Sequence, residues 1–118
     1  MDNDKKYAKG AYHRSSRNLA QACFNYIGTY RKLPEDVAEA LNGYICMKDS
    51  ATISETEHVA IVERLVYVCA KHIMCNVIDA LSKIGDAVLN YIGIGFRGNH
   101  DNAPQWVEEY EIKNNIPA

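Results

Sequence analysis

The stretch from Ser54 to Ile84 constrains this chain most, because its apolar residues wrap almost the whole way round a helix and demand cover on more than one side. It opens with Ser54-Glu55-Thr56-Glu57, a capping box in which Ser54 and Glu57 satisfy each other's free backbone N–H groups. Val59, Val62, Val66, Cys69, Ile73, Val77, Ala80 and Ile84 then recur in alternating steps of three and four, which places them on one helical face. Ile61, Leu65, Val68 and Cys75 make a second apolar strip on the far side. The pattern predicts one long central helix over about residues 54–84, either the post of a helical bundle or half of a subunit contact.

The flanking sequence predicts further helices and no strand. Ser15 or Ser16 is a suitable N-cap for a first helix whose apolar face is Leu19, Cys23, Tyr26, Tyr30 and Leu33, leaving residues 1–13 loosely ordered. Its other face, with Asn18, Gln21, Asn25 and Lys32, is polar and almost uncharged. Pro34 suits the start of a second helix, with Glu35 and Asp36 in the first turn and Val37, Ala40, Leu41, Tyr44 and Ile45 as its apolar line, stopping near Lys48. Gly85-Asp86 marks a break or a bend. Residues 93–102 read as a loop, and a last helix spans about 103–113 with Trp106, Val107 and Tyr110 on one face. The expected fold is an all-α compact bundle of four to five helices in a single domain, residues 1–118, a length suited to one core.

No run reaches the ~20 apolar residues that a membrane helix needs. The polar start of the chain lacks the apolar segment of a signal peptide, which makes a cytoplasmic protein the expectation. Cys23, Cys46, Cys69 and Cys75 lie within apolar helical patterns and read as reduced, structural thiols.

The spellings that resemble catalytic or ligand motifs lack the context those motifs require. Gly93-Ile94-Gly95-Phe96-Arg97-Gly98 fits the dinucleotide fingerprint in letters, yet a helix precedes it and no strand does. Cys69, His72 and Cys75 are each three apart, which fans them over some 120° of a helix, too widely for one metal ion. His100-Asp101 resembles the adjacent pair of helical metal-dependent phosphohydrolases, but no later aspartate completes the ligand set. None of the serines lies in a nucleophile elbow. The sequence therefore predicts no enzyme, no cofactor and no metal site.

Charge and aromatic content point instead to contact with another macromolecule. The net charge of −2 hides a division, since residues 1–32 carry seven basic against two acidic residues and the remainder six against thirteen. Eight tyrosines stand against two phenylalanines, and tyrosine is favoured where surfaces meet. Lys5, Lys6, Tyr7, Lys9, Tyr12, His13, Arg14 and Arg17 form a basic-aromatic segment suited to an acidic protein groove or to phosphates and bases. The expected function is a non-enzymatic interaction protein that binds a protein partner and modulates or inhibits it, in the style of regulators encoded by phages and mobile elements, acting as a homo-oligomer with a dimer favoured. The alternative is a nucleic-acid-associated protein using the same N-terminal segment.

Overall fold

A computed structural model describes residues 9–29, 32–48, 54–79, 81–97 and 103–113, with 9–12 and 29 described by their backbone alone. Five α-helices follow one another: α1 (Lys9–Thr29), α2 (Glu35–Lys48), α3 (Glu55–Met74), α4 (Lys83–Tyr91) and α5 (Gln105–Lys113), with no strand among the described residues. The all-α bundle that the periodicity predicts is the fold.

The central helix departs from its expected length. α3 begins where the capping box places it: Ser54 Oγ accepts from the Glu57 amide at 3.2 Å, and Glu57 Oε1 accepts from the Ser54 amide at 3.1 Å. It ends at Met74, however, ten residues short of Ile84. The Val77 amide reaches back to the His72 carbonyl at 2.8 Å, the Asn76 amide to that of Ile73 at 3.0 Å, and Asn76 sits at φ 63°. That is a Schellman stop with asparagine in place of glycine, a residue that tolerates the left-handed region. Ser82 then caps α4 by accepting from the Gly85 amide at 3.4 Å, so Gly85 lies inside a new helix and breaks nothing. The apolar period runs on in print through this interruption, but its outcome changes: Val77 is exposed and Ile78 takes the buried place. Cys75, assigned by spacing to the second apolar strip, is also exposed at the stop, whereas Leu65 and Val68 of that strip are buried.

Two other boundaries move. α1 already runs from Lys9, so Ser15 and Ser16 are buried inside it and cap nothing. Ser15 Oγ has no hydrogen-bond partner among the described residues, an arrangement that costs about 1–3 kcal/mol. At the other end, residues 93–96 are not a loop, because α4 passes straight into a wide π turn over Ile92–Phe96. Phe96 thereby meets Tyr91 edge to face, ring centroids 5.3 Å apart. Gly95 is required there, since a Cβ would lie 2.6 Å from the Tyr91 ring, while one at Gly93 would meet nothing. Arg97 closes the turn onto α5 by forking onto Glu111, Nε to Oε2 at 3.3 Å and Nη2 to Oε1.

The helices pack in two pairs. α1 lies chiefly on α4 and α2 on α3, with α3 and α4 joining the pairs and α5 resting on α3. The core between them holds Leu19 and Cys23 of α1, Val37 and Leu41 of α2, Val62, Leu65, Val66 and Ile73 of α3, Ile84 and Val88 of α4, and Val107 and Tyr110 of α5. Cover for α3 thus comes from α2, α4 and α5 more than from α1. Asp36, in the first turn of α2, fastens this arrangement: its carboxylate accepts from His72 Nε2 at 2.7 Å and Lys71 Nζ at 3.0 Å near the end of α3. α2 and α3 are therefore antiparallel. Contacts of His13 with His58 and of Cys23 with Cys69 advance together along α1 and α3, so those two helices run parallel.

Candidate partner-binding groove

α1 and α2 form a splayed hairpin, and the gap between them is the strongest candidate for a site. Arg14, Arg17, Gln21, Phe24 and Gly28 are spaced by three and four along α1 and are all exposed, a stripe that is basic at its start and apolar towards its end. α2 faces it with Tyr44, Ile45 and Lys48. Together with Ala20, these side chains from Arg17 to Phe24 and from Tyr44 to Lys48 enclose a groove of about 310 Å³. Two cations stand over an aromatic and aliphatic floor.

The local physics of the groove is that of a surface waiting for cover. Phe24, which lines the groove, is 45% exposed, and Ile27, one turn further along α1 and outside that lining, is 47% exposed, so two large apolar side chains of α1 remain in water. Each would gain roughly 1–2 kcal/mol on full burial. Lys48 Nζ lies 5.9 Å from the centre of the Tyr44 ring, within cation–π range. Burial pushes the Tyr44 phenol above its ordinary pKa of 10.0, and the nearby Arg17 charge pulls the other way without reversing the shift. At neutral pH the hydroxyl is an uncharged donor, not a base.

The residues singled out from the sequence divide over this geometry. Lys5, Lys6 and Tyr7 lie outside the described residues. Lys9 and Tyr12 belong to α1 by their backbone. Arg14 and Arg17 are exposed on the groove stripe, and Arg17 lines the groove itself. His13 turns elsewhere: half-buried, it meets His58 of α3 with ring centroids 5.0 Å apart and planes at 71°. Burial lowers the His58 pKa, the charge of His13 lowers it further, and Glu55 opposes both. Sequence reasoning missed Phe24 and Lys48 of the groove and the exposure of Ile27 one turn beyond Phe24. The available signal was that Phe24 and Ile27 fall off the core line of Leu19, Cys23 and Tyr26, while Lys48 reads only as a helix terminus.

A second groove borders α1 on its other flank, of about 500 Å³ and more open, where Asn18, Gln21 and Asn25 face Lys83, Asp86 and Asn90 of α4. Gln21 donates to Asn25 there at 3.1 Å. Ala22 and Ala87 form its floor, and both are buried. It offers amides, one charge of each sign and no large apolar side chain.

The remaining polar constellation is Asp36 with Lys71 and His72. Partial burial works to raise the Asp36 pKa, yet the hydrogen bonds and charges of Lys71 and His72 overcome it and bring the carboxyl from 3.8 down to about 2. Since each partner lies at a helix end whose dipole favours it, the cluster is a clamp between α2 and α3. Cys69, buried in the core, is directed away from His72 on its clamp and from Cys75 at the exposed stop. Among the described residues no three His, Cys, Asp or Glu side chains are placed to hold a metal ion, and no helix is long and apolar enough to cross a membrane. His100 and Asp101 lie outside the described residues. Compared with known protein families, curated proteins and solved structures, the chain matches none.

Proposed function

We propose that this chain is a non-enzymatic interaction protein that binds an acidic, apolar segment of a protein partner along the α1/α2 groove and so modulates that partner. The observation that carries this reading is the exposure of Phe24, with the half-buried Ile45, beside Arg17 and Lys48. A partner segment with apolar anchors between carboxylates would bury the first pair and neutralise the second, and aromatic anchors ringed by polar groups dominate interfaces of this kind. Among the described residues no acid and no histidine lines the groove, a composition that suits binding more than acid–base chemistry. In this reading the protein works as a homodimer in the cytoplasm, with the N-terminal cations Lys5, Lys6 and Lys9 adding long-range attraction for an acidic partner.

A protein partner is favoured over nucleic acid because the groove floor is apolar and, among the described residues, only Arg17 and Lys48 bring positive charge to it. Nucleic-acid binding draws on a continuous basic track whose phosphate contacts make it steeply salt-dependent. The test is affinity capture from host lysate with the wild type and with Arg17→Glu/Lys48→Glu, both substitutions being at exposed positions. A protein retained only by the wild type, and bound at least ~10-fold more weakly by the purified double variant, supports the proposal. Equal retention by both removes the groove from the account. Nuclease-sensitive retention lost when Lys5, Lys6 and Lys9 become alanine establishes the nucleic-acid alternative instead.

A further inference from the structure

Two of the four cysteines meet in the core. Cys23 of α1 and Cys69 of α3 are 46 residues apart in the chain, fully buried, and bring their Sγ atoms to 3.9 Å. Cys46 and Cys75 are exposed. The contact joins two helices that otherwise pack on different neighbours, α1 chiefly on α4 and α3 on α2. Hydrogen bonding to Cys23, reinforced by burial, holds the Cys69 thiol well above its ordinary pKa, so Cys69 rests as a neutral thiol that tolerates the dry core.

We propose that Cys23 and Cys69 are an oxidation site, which a two-electron oxidant of the peroxide class converts to a disulfide that fastens α1 to α3. Closure from 3.9 Å to the ~2.05 Å of a disulfide asks each sulfur to move about 1 Å. When local opening admits the oxidant, one thiol gives its proton to water and its sulfur takes an oxygen from the peroxide, breaking the O–O bond. The second oxygen leaves as hydroxide and collects that proton. The other sulfur then attacks the sulfenic sulfur, the S–S bond forms, the S–O bond breaks, and the hydroxyl leaves with the second thiol's proton. Two electrons pass from sulfur to peroxide, and hydrogen peroxide becomes two waters. Because the resolving sulfur is already in contact, the sulfenic acid has a partner at hand, which the lone exposed cysteines lack. The closed pair is shielded from reductants by the same burial, so it forms slowly and reverses slowly. Its mechanical consequence falls on α1, where Phe24 adjoins Cys23, although the chemistry stands whether or not the groove binds a partner.

The test uses the full chain carrying Cys46→Ser and Cys75→Ser, substitutions at exposed positions that leave the core intact. The folded protein is treated with hydrogen peroxide, denatured, alkylated with N-ethylmaleimide and weighed intact. The expected product has lost the mass of two hydrogens, takes up no maleimide until reduced, yields a cross-linked peptide containing Cys23 and Cys69, and melts about 5 °C or more above the reduced form. Two maleimides on the peroxide-treated protein, or sulfinic and sulfonic acids on separate cysteines without a cross-link, would overturn the proposal. Far-ultraviolet circular dichroism of the starting material confirms that the result refers to the folded chain.

Discussion

α1 borders two grooves, and they differ in kind. Towards α4 it closes over buried Ala22 and Ala87, and the seam is finished with amides such as Asn18, Gln21 and Asn25 that water satisfies as readily as protein does. Towards α2 it stands off, and the gap exposes Phe24 and part of Ile45 beside Arg17 and Lys48. Gln21 touches both grooves, so the change happens within one turn of one helix. The contrast teaches that proximity to a groove is not the criterion for a binding surface. An amide-rich seam has little to gain from a partner, whereas exposed aromatic and aliphatic groups next to exposed cationic charge gain from burial and from neutralisation together.

That contrast can be broken at its root by loosening α1 itself. Leu19 is fully buried, and Leu19→Ala should cost about 2–5 kcal/mol in urea denaturation, the range for an unfilled core site. A loss near zero would mean that α1 is not anchored through its inner edge, and both grooves would lose their definition. The closed flank is probed by Ala22→Leu, which should cost about 1–3 kcal/mol by prising α1 from α4. If the larger side chain is accepted without loss, the seam is as open as the groove opposite.

The far wall of the α1/α2 groove depends on the clamp that holds α2 against α3. Asp36→Asn should lower stability at neutral pH by about 1 kcal/mol, a charged hydrogen-bonded contact discounted for its partial exposure. The pH dependence has a definite sign. A carboxyl whose folded pKa is depressed contributes its full stabilisation above its unfolded value and loses it as pH falls, here between 3.8 and about 2. Denaturation midpoints measured across that window should therefore fall more steeply for the wild type than for Asp36→Asn. Parallel curves would show that the clamp carries no linkage. The smallest effect belongs to the open flank: Phe24→Ala should change stability by no more than about 0.5 kcal/mol, because nearly half of the ring is already in water.

How much of this was legible in the sequence depends on what each residue responds to. The helices, the Ser54 capping box, the α2 boundaries and the last helix follow from local period and cap chemistry, which the sequence displays directly. The stop of α3 was obscured because Val77, Ala80 and Ile84 continue the helical period while the actual terminator, Asn76, is a residue that also occurs inside helices. The early start of α1 was hidden by serines that suit a cap but lie in the core, where tertiary packing overrides propensity. The groove was half legible. Arg14 and Arg17 belong to a visible basic segment, but Lys48 joins Arg17 only through the hairpin, and no spacing along the chain reveals a contact between helices. Likewise, Cys23 and Cys69 are ordinary apolar positions until the fold brings their sulfurs together.

The central claim is that a partner covers the α2 flank of α1 and leaves the α4 flank bare. Hydroxyl-radical footprinting of the free protein and of its complex with a partner captured through the wild-type groove tests this most directly. Phe24 should be oxidised in the free protein and protected by several-fold in the complex, while Leu81, at 89% exposure, stays equally reactive in both. Unchanged labelling of Phe24 in a fully formed complex would contradict the account, and protection confined to Leu81 and Val77 would place the interface on the connection between α3 and α4 instead.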